Sequence, residues 1–447
     1  MSHDFNSYID ALDRSSTRAV DLNMDDLLRM MHMARDRSSY QQDFTDLRKG
    51  LWLRLVNKYL RSASGNQLIE VMYLISKEIP DPDRYFHGFF HNWEHALLRR
   101  ISDISDPISV LHIYHMDKKD LPEEIVKEWC RVMTRKVDSL SIDQMTSIME
   151  LFVALHVHPD DEFLRGWCRQ TETLVYNRRL NGQQLANTIY VCGKLHIDQL
   201  RAPLTTLLMD RSTYTRMNIQ QLTRSFYGSL LLKINLNDDE ASDLVQYLYD
   251  TASRNMSSLD AKGLSQLIWS AGRLEWDPPQ QFATTWNRQF SNMINTFTAQ
   301  NLSLTLEGLR IVADRGHEIS PNLISNWLRR AELVINDFWP QSVARILIDL
   351  EYIQAKPGFE FVRKCLKVIR NQLEHIYASD YAMIMVSLAS MNIDANRIDS
   401  DFVRAWKSEA IKHDKGRKWS PDLKAELKEA LDKMGIYIDR DLERILI

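Results

Sequence analysis

The segments EIVKEWCRVM (residues 124–133) and FLRGWCRQ (residues 163–170) decide the fold, because both place a tryptophan at the same point of one apolar pattern. Similar segments surround a series of tryptophans, which are Trp93, Trp129, Trp167, Trp286, Trp327 and Trp406. Their separations of 36, 38, 119, 41 and 79 residues are about one, one, three, one and two steps of a period near 39. A fixed period of roughly 20–50 residues is typical of repeat arrays. The sequence therefore predicts a solenoid.

Each tryptophan lies within a predicted amphipathic helix, which we name helix B. An apolar residue precedes the tryptophan by three or four positions, which is helical spacing. In FVRKCLKVI (residues 361–369) Cys365 takes the tryptophan's place. A second apolar pattern, helix A, begins about 22 to 25 residues earlier, as in QLANTIYVCGKL from Gln184. We therefore predict an all-α chain, an α-solenoid of about ten helical-hairpin repeats with a period near 39 residues.

Turn and cap residues fall between these predicted helices. Ser320 and Ser420 each precede a proline and predict helix starts. Asn237 with Glu240 matches a capping box, and Asn181-Gly182 predicts an interhelix turn. Small residues within helix A predict close packing between neighbouring helices. The predicted boundaries are an N-terminal segment at residues 1–20, one continuous solenoid at 21–413 and a C-terminal helical cap at 414–447, with a charge-rich break at residues 412–418.

Composition narrows the functional classes. The chain has 60 acidic and 56 basic residues, and its four cysteines show no CxxC spacing, which argues against a zinc site or a disulfide framework. We expect the cysteines to be small buried hydrophobes in a reducing compartment. The sequence contains no run of about 18 apolar residues, so it predicts no membrane span. The N-terminus lacks the apolar stretch of a signal peptide. We expect no cofactor, no metal, no membrane and no small-molecule substrate.

The clearest functional signal is a set of basic residues on helix B. Positions two before and two after the tryptophan are four residues apart, so they lie on one helix face, about 160° from the tryptophan. Of the fourteen residues at these positions none is acidic, two are histidine and nine are Lys or Arg. We name these nine the basic slots: Lys127, Arg131, Arg165, Arg169, Arg288, Arg329, Arg363, Lys367 and Arg404. Stacked repeats would align them into a stripe able to bind phosphates.

Two other interpretations of the basic slots stay open. An acidic protein partner would also be attracted by such a stripe, and a solvated helix face can carry Arg without binding anything. The repeats between residues 185 and 254 have no anchor tryptophan, and one of their B helices is acidic. This middle region either separates two nucleic-acid patches or binds protein. The isoelectric point near 6.4 favours membership of a larger complex.

Two A helices carry a family resemblance. LSQLIWSAGRL (residues 264–274) and QQLANTIYVCGKL (residues 183–195) resemble the L-x-N-x-Φ-W-A-x-A-K-L helix of octotricopeptide-type repeats. Heptatricopeptide repeats, FAST-kinase-like proteins and helical-repeat subunits of kinetoplastid mitochondrial RNA-editing complexes are similar in style. The resemblance implies organellar RNA metabolism and a mitochondrial matrix location, with the cytoplasm as the alternative. FAST-kinase-like proteins end in an α/β RAP module, whereas this tail has a helical pattern, so no nuclease activity is implied.

Other motifs carry weaker functional readings. His91, Glu94 and His95 match the H-x-x-E-H spacing of a zinc hydrolase, extended by His87. However, Trp93 in their midst should face the core, which leaves the histidines in the positions of the basic slots. His156 and His158 fall in a predicted exposed loop. Three further tryptophans, Trp269, Trp276 and Trp339, could stack on bases, but packing between repeats is the expected role.

Together these features predict a non-catalytic subunit of a ribonucleoprotein complex that binds single-stranded RNA and other protein subunits, and acts in RNA processing, editing or stability. The alternative is a protein–protein scaffold of the HEAT or armadillo type. A zinc hydrolase at the H-x-x-E-H motif is a distant third.

Overall fold

The structure is a computed structural model, which describes residues 22–36, 45–79, 82–393, 397–412 and 419–446. Every regular element within those ranges is helical, so the predicted all-α class is confirmed. The chain falls into two compact units that divide between Leu204 and Thr205. The predicted N-terminal segment 1–20 and most of the charge-rich break lie outside the described residues, and the predicted boundaries stay predictions.

The helices follow one another in pairs, so that odd numbers denote A helices and even numbers B helices. The first ten are α1 Met24–Asp36, α2 Asp46–Tyr59, α3 Gly65–Glu78, α4 Phe89–Leu98, α5 Ile108–Asp117, α6 Glu123–Thr134, α7 Ile142–Ala154, α8 Asp161–Tyr176, α9 Gly182–Lys194 and α10 Arg201–Met209. A single helical turn follows at Arg211–Tyr214. The remainder are α11 Ile219–Leu231, α12 Ser242–Asn255, α13 Ala261–Arg273, α14 Gln280–Met293, α15 Ala299–Asp314, α16 Pro321–Leu333, α17 Pro340–Tyr352, α18 Phe359–Arg370, α19 Ala378–Ser390, α20 Ser400–Lys412, α21 Pro421–Lys433 and α22 Arg440–Leu446.

Within each unit, most helices pack against the next helix but one. In the first unit α1, α3, α5, α7 and α9 form a row of A helices, and α2, α4, α6 and α8 form a row of B helices. In the second unit α11 to α21 provide the odd-numbered row and α12 to α22 the even-numbered row. This arrangement is consistent with an array of stacked helical hairpins. The tail is helical, as the sequence predicted.

The anchor tryptophans join the two helices of a pair. All six that the sequence singled out are buried, and so is Cys365. Each indole Nε1 donates a hydrogen bond to a carbonyl near the start of its own A helix, for example Trp93 to Leu68 at 2.9 Å and Trp327 to Leu302 at 3.0 Å. Trp52, which the sequence analysis did not include, makes the same bond to Leu27 at 2.8 Å.

Capping residues begin most A helices. Capping boxes form at Ser64, Ser141, Asn181 and Asn218, each with the glutamine three residues later. Ser420 caps α21 as predicted, whereas Ser320 holds the cap position of α16 without a side-chain bond. The predicted capping box of Asn237 with Glu240 is wrong. Asn237 Oδ1 instead accepts a hydrogen bond at 2.8 Å from the backbone N–H of Glu275, just after the end of α13.

Most A helices end in one backbone pattern. The second residue after the helix has a positive φ, and the next N–H bonds back to a carbonyl in the last turn, as from Val157 to Phe152 at 3.1 Å. The left-handed residues at these A-helix ends are His156, His196, Lys233, Gly316, Gln354, Asn392 and Gly435. This is the Schellman termination. It turns the chain sharply, so the B helix can fold back within a few residues.

The A helices of the second unit approach one another closely at α13 and α15. A Cβ built on Gly272 would lie 2.9 Å from the carbonyl oxygen of Gly308, and one built on Gly308 would lie 2.8 Å from the backbone of Trp269. Such distances leave no room for a side chain, so the prediction that small residues allow close helix packing is confirmed here.

Candidate nucleic-acid interface

The basic slots are on the surface of the B helices, on the side opposite the buried tryptophans. All nine are exposed. Lys127, Arg131, Arg165 and Arg169 lie on α6 and α8, which pack side by side in the first unit. The other five lie on α14, α16, α18 and α20 in the second unit. Each unit therefore carries its own row of slots, and their role in binding stays a prediction.

Acidic residues contact three of the four slots in the first unit. Lys127 Nζ lies 2.6 Å from a carboxylate oxygen of Glu123, one turn earlier on the same helix. Arg131 Nε donates to Glu128 at 2.7 Å, and Arg169 lies 3.6 Å from Asp138 in the preceding turn. Arg165 has no ion pair or hydrogen bond within the described ranges. Acidic residues outside the slot positions therefore neutralise part of the positive charge of this row.

The second unit shows the same mixture. A guanidinium nitrogen of Arg363 lies 2.8 Å from Glu360, and Arg404 lies 3.4 Å from Asp401. Arg329 donates to the side-chain amide oxygen of Asn326 at 3.1 Å. Arg288 and Lys367 have no side-chain partner among the residues that the structure describes. Exposed ion pairs contribute about 0–1 kcal/mol, so a phosphate can replace such a carboxylate at little cost.

The ion pairs also fix the charge states. The hydrogen bond from Lys127 lowers the pKa of Glu123, and the same bond raises the pKa of the lysine. The hydrogen bond from Arg131 lowers the pKa of Glu128. These acids therefore stay ionised at neutral pH, and Lys127 and Arg131, whose pKa values are both raised, stay protonated. No pH step in RNA binding is expected from these groups near neutrality.

The A helices of the second unit use their charges differently. An arginine on each of three successive A helices pairs with an acid on the next: Arg273 with Glu307 at 2.9 Å, Arg310 with Asp349 at 2.9 Å, and Arg345 with Asp380 at 3.6 Å. We name these three pairs the inter-repeat ladder. Because the ladder balances its own charge, the A side of this unit offers less free positive charge than the basic slots do.

Two acids of the ladder are buried, and Asp349 is the more deeply buried of them, with only 1% of its surface exposed. Burial raises the pKa of its carboxyl to about 7, against the opposing effect of Arg310 and Arg345. Arg310 Nε is near Asp349 Oδ1, but that oxygen lacks hydrogen-bond geometry to any partner in the described chain. Coulombic attraction therefore holds Arg310 against Asp349, although burial disfavours the ionised form of the carboxyl.

The H-x-x-E-H motif takes the arrangement expected of a repeat anchor. Trp93 is buried, while His91 and His95 are exposed, with their Nε2 atoms 3.1 Å apart. Glu94 is half-buried and accepts a hydrogen bond from the hydroxyl of Tyr114 at 3.0 Å. In the described residues no group of three or more potential ligands could hold a metal ion. His156 and His158 are exposed, as predicted for a loop.

The three tryptophans for which base stacking was considered divide into two classes. Trp269 is buried beside Tyr227 and under the guanidinium of Arg273, and half-buried Trp276 donates to the carbonyl of Leu236 in the preceding repeat at 3.1 Å. For these two the expected packing role is confirmed. For Trp339 it is wrong, because 74% of its surface is exposed. Tyr377, which no sequence pattern indicated, is likewise 70% exposed.

All four cysteines are free and buried, as predicted. Burial raises the pKa of Cys130 to about 12 and that of Cys168 to about 11. The thiols therefore stay protonated at neutral pH and behave as small apolar side chains.

No helix in the described ranges is long and apolar enough to cross a membrane. Comparison with known proteins adds no identity: no family model matches the chain, and no curated protein matches it. What stands on the structure alone is an all-helical chain of stacked, sequentially packed helices, consistent with a helical repeat array, with rows of exposed cations on its B helices.

Proposed function

We propose that this chain is a non-catalytic subunit of a ribonucleoprotein complex, which binds single-stranded RNA along its B helices and also contacts other protein subunits. In this proposal the array consists of about ten hairpins with a period near 39 residues, and the complex acts in mitochondrial RNA processing, editing or stability. The observation that supports this proposal most directly is the recurrence of exposed Lys and Arg at the same positions of successive B helices.

Physical chemistry supports RNA as the ligand of these rows. A strand of RNA presents one phosphate for each nucleotide, and the rows of B helices present exposed cations on successive helices. Each neutralised phosphate releases counterions, which favours binding at low salt. Arg also offers a planar fork of donors that matches a phosphate. The contacts position the strand but carry no base information, so little sequence preference is expected.

The test neutralises two slots in each unit, as Arg165→Gln, Arg169→Gln, Arg363→Gln and Lys367→Gln together. For single strands each phosphate contact contributes about 0.7 to the slope of log K against log salt, so the quadruple variant should lose up to about three units of slope. Binding of a fluorescent oligouridine is measured between low and physiological salt. Circular dichroism and melting should not change, since exposed substitutions shift stability by about 0.5 kcal/mol or less.

A matched control removes the same charge elsewhere. Arg61, Arg216, Lys428 and Lys433 are exposed and lie outside the basic slots. Their joint replacement by Gln should leave most of the slope intact. If both quadruple variants lose the same slope, the effect is net charge and the slots are not a site. If neither affects RNA but the slot variant loses a protein partner, the chain is a scaffold of the HEAT or armadillo type.

A second function, protein scaffolding, is favoured by the middle of the chain. Asp238, Asp239, Glu240 and Asp243 are all exposed around the start of α12, in the region without an anchor tryptophan. An acidic surface repels RNA, so we assign this region to a protein subunit. Replacing the four acids by Asn or Gln should weaken recovery of partner subunits by affinity purification, without weakening RNA binding.

A further inference from the structure

Trp339 and Tyr377 hold the same position in two successive hairpins of the second unit. Each is the residue that immediately precedes an A helix, α17 and α19 respectively. Each also follows a 3-10 turn, at Ile335–Asp337 and Leu373–His375, and then one buried apolar residue, Phe338 or Ile376. The equivalence of the two positions is therefore structural as well as sequential.

Other A helices of this unit use the position for capping. Asn218, Asp260, Thr298 and Ser420 each accept a hydrogen bond from a first-turn N–H through the side chain. An indole or a phenol ring makes no such bond, and neither Trp339 nor Tyr377 does. The chain thus loses a stabilising cap twice. Burial of the two rings does not compensate for the lost caps, because both rings are largely exposed.

The polar groups of the two rings are also unused. Neither the indole N–H of Trp339 nor the hydroxyl of Tyr377 has a hydrogen-bond partner among the described residues. One side chain links the two positions: Gln341, two residues after Trp339, accepts a hydrogen bond from the backbone N–H of Tyr377 at 2.8 Å and donates to Asp380. This bond ties the start of α17 to the start of α19, and each of these two helix starts carries one exposed aromatic ring.

Along the chain, a basic slot precedes each of the two rings. Arg329 lies on α16, which leads into Trp339, and Lys367 lies in the last turn of α18, which leads into Tyr377. Lys367 has no acidic partner in the described part of the chain. An aromatic ring and a cation are therefore repeated together in two successive hairpins.

We propose that Trp339 and Tyr377 are stacking platforms for two bases of a single strand of RNA, whose phosphates contact Arg329 and Lys367. The inference rests on the proposed function and adds to it a second kind of contact. A ligand that repeats along its length matches residues that repeat along the array. Stacking on aromatic rings beside a positive row is how single strands are bound without sequence preference, because every base has a π face.

The test uses the full chain with Trp339→Ser and Tyr377→Ser, and oligouridine as the probe. Serine is a preferred N-cap residue, and Ser420 caps α21 in front of a proline, the same context as Trp339 before Pro340. The double variant should melt at a higher temperature than the wild type, yet bind the probe about 25-fold or more weakly, since each stack contributes roughly 5-fold or more. The salt slope should not change, because no cation is removed. Trp339→Phe with Tyr377→Phe should retain binding.

The control is Leu333→Ala. Leu333 is 73% exposed at the end of α16 and cannot stack on a base, so its loss should leave RNA affinity unchanged. If the wild type binds RNA with a salt slope and the double serine variant binds equally well, the platforms are wrong and the proposed function stands. If the serine and Leu333 variants both lose a protein partner but not RNA, the patch is a protein interface and this proposal is overturned. If the wild type binds no RNA, the proposed function itself fails.

Discussion

At the residue scale, the indole of each anchor tryptophan does two things: it fills space between helices A and B and it bonds to a carbonyl of helix A. Trp167 is buried and donates to Met145 at 3.2 Å. Trp167→Ala should lower the free energy of unfolding by about 3–5 kcal/mol, as large-to-small core changes do. Urea denaturation monitored by circular dichroism measures the change. Trp167→Phe keeps most of the volume and should cost clearly less; equal costs would argue against the packing role.

Asp349 predicts a pH dependence with a definite sign. Burial raises its pKa to about 7 in the folded chain, above the value of about 3.9 for an unfolded chain. A carboxyl with a raised pKa stabilises the fold fully only below the unfolded pKa, and that contribution is lost as pH rises to about 7. The ionised form therefore costs up to about 4 kcal/mol at neutral pH.

The side chain of asparagine cannot ionise, so Asp349→Asn should remove this loss of stability at neutral pH. Relative to the wild type, the variant should gain stability steadily between pH 4.5 and pH 7.5. The charged groups around the site are Arg310, Arg345, Glu307 and Asp380, and they are common to both proteins. Urea midpoints across that range give the difference. A difference that stays constant with pH would show that Asp349 titrates normally.

Residue patterns predicted the buried side chains better than the exposed ones. The burial of the anchor tryptophans follows from helical periodicity, because each of them falls on the apolar face of its helix B. The acids that pair with Lys127 and Arg131 lie one turn away, outside the two positions that the pattern compared. Asp138 reaches Arg169 from another segment, and no local pattern contains that contact. The exposure of Trp339 follows from its place before a helix, which apolar spacing does not encode.

At the element scale, helix ends carry a reserve of stability. His196, Lys233 and Gln354 hold a left-handed conformation, which costs an L-residue roughly 1–2 kcal/mol and costs glycine nothing. Gln354→Gly should therefore raise the free energy of unfolding by about 0.5–1 kcal/mol, after allowance for the greater entropy of glycine in the unfolded chain. Thermal melting measures it.

The control is the reverse change. Gly435 has φ of 72° at the end of α21, so Gly435→Ala should lower stability by about 1 kcal/mol. If glycine is neutral or harmful at residue 354, the left-handed residue there makes a contact worth more than its strain.

Sequence patterns located the helix starts after Ser320 and Ser420, because a serine before a proline is a local signal for a helix N-terminus. They failed at Asn237, whose partner is the backbone of Glu275. The ends of the A helices were not predicted, since five of the seven left-handed positions at these ends are not glycine, and glycine is the usual signal for such an end.

At the scale of the whole molecule, acids outnumber bases, and the formal charge is −4. RNA binding must therefore depend on where the cations are. The inter-repeat ladder pairs arginines with acids on the A helices of the second unit, whereas Arg165, Arg288 and Lys367 have no such partner in the described ranges. Two variants of equal net charge should thus differ in RNA affinity, depending on whether the slots are touched. Equal affinities at each salt concentration would make net charge the cause.

The tryptophan bonds have a mechanical consequence. Each one ties helix B to helix A of the same hairpin, so under a pulling force the hairpin should unfold as one unit. In repeat arrays, stability is a sum over units and their interfaces. Pulled from its ends in an optical trap, the chain should lengthen in successive steps. The 40 residues from the cap at Ser141 to the cap at Asn181 correspond to a step of about 13–14 nm. A protein built in this way yields to force gradually, and can lose one hairpin while its neighbours hold.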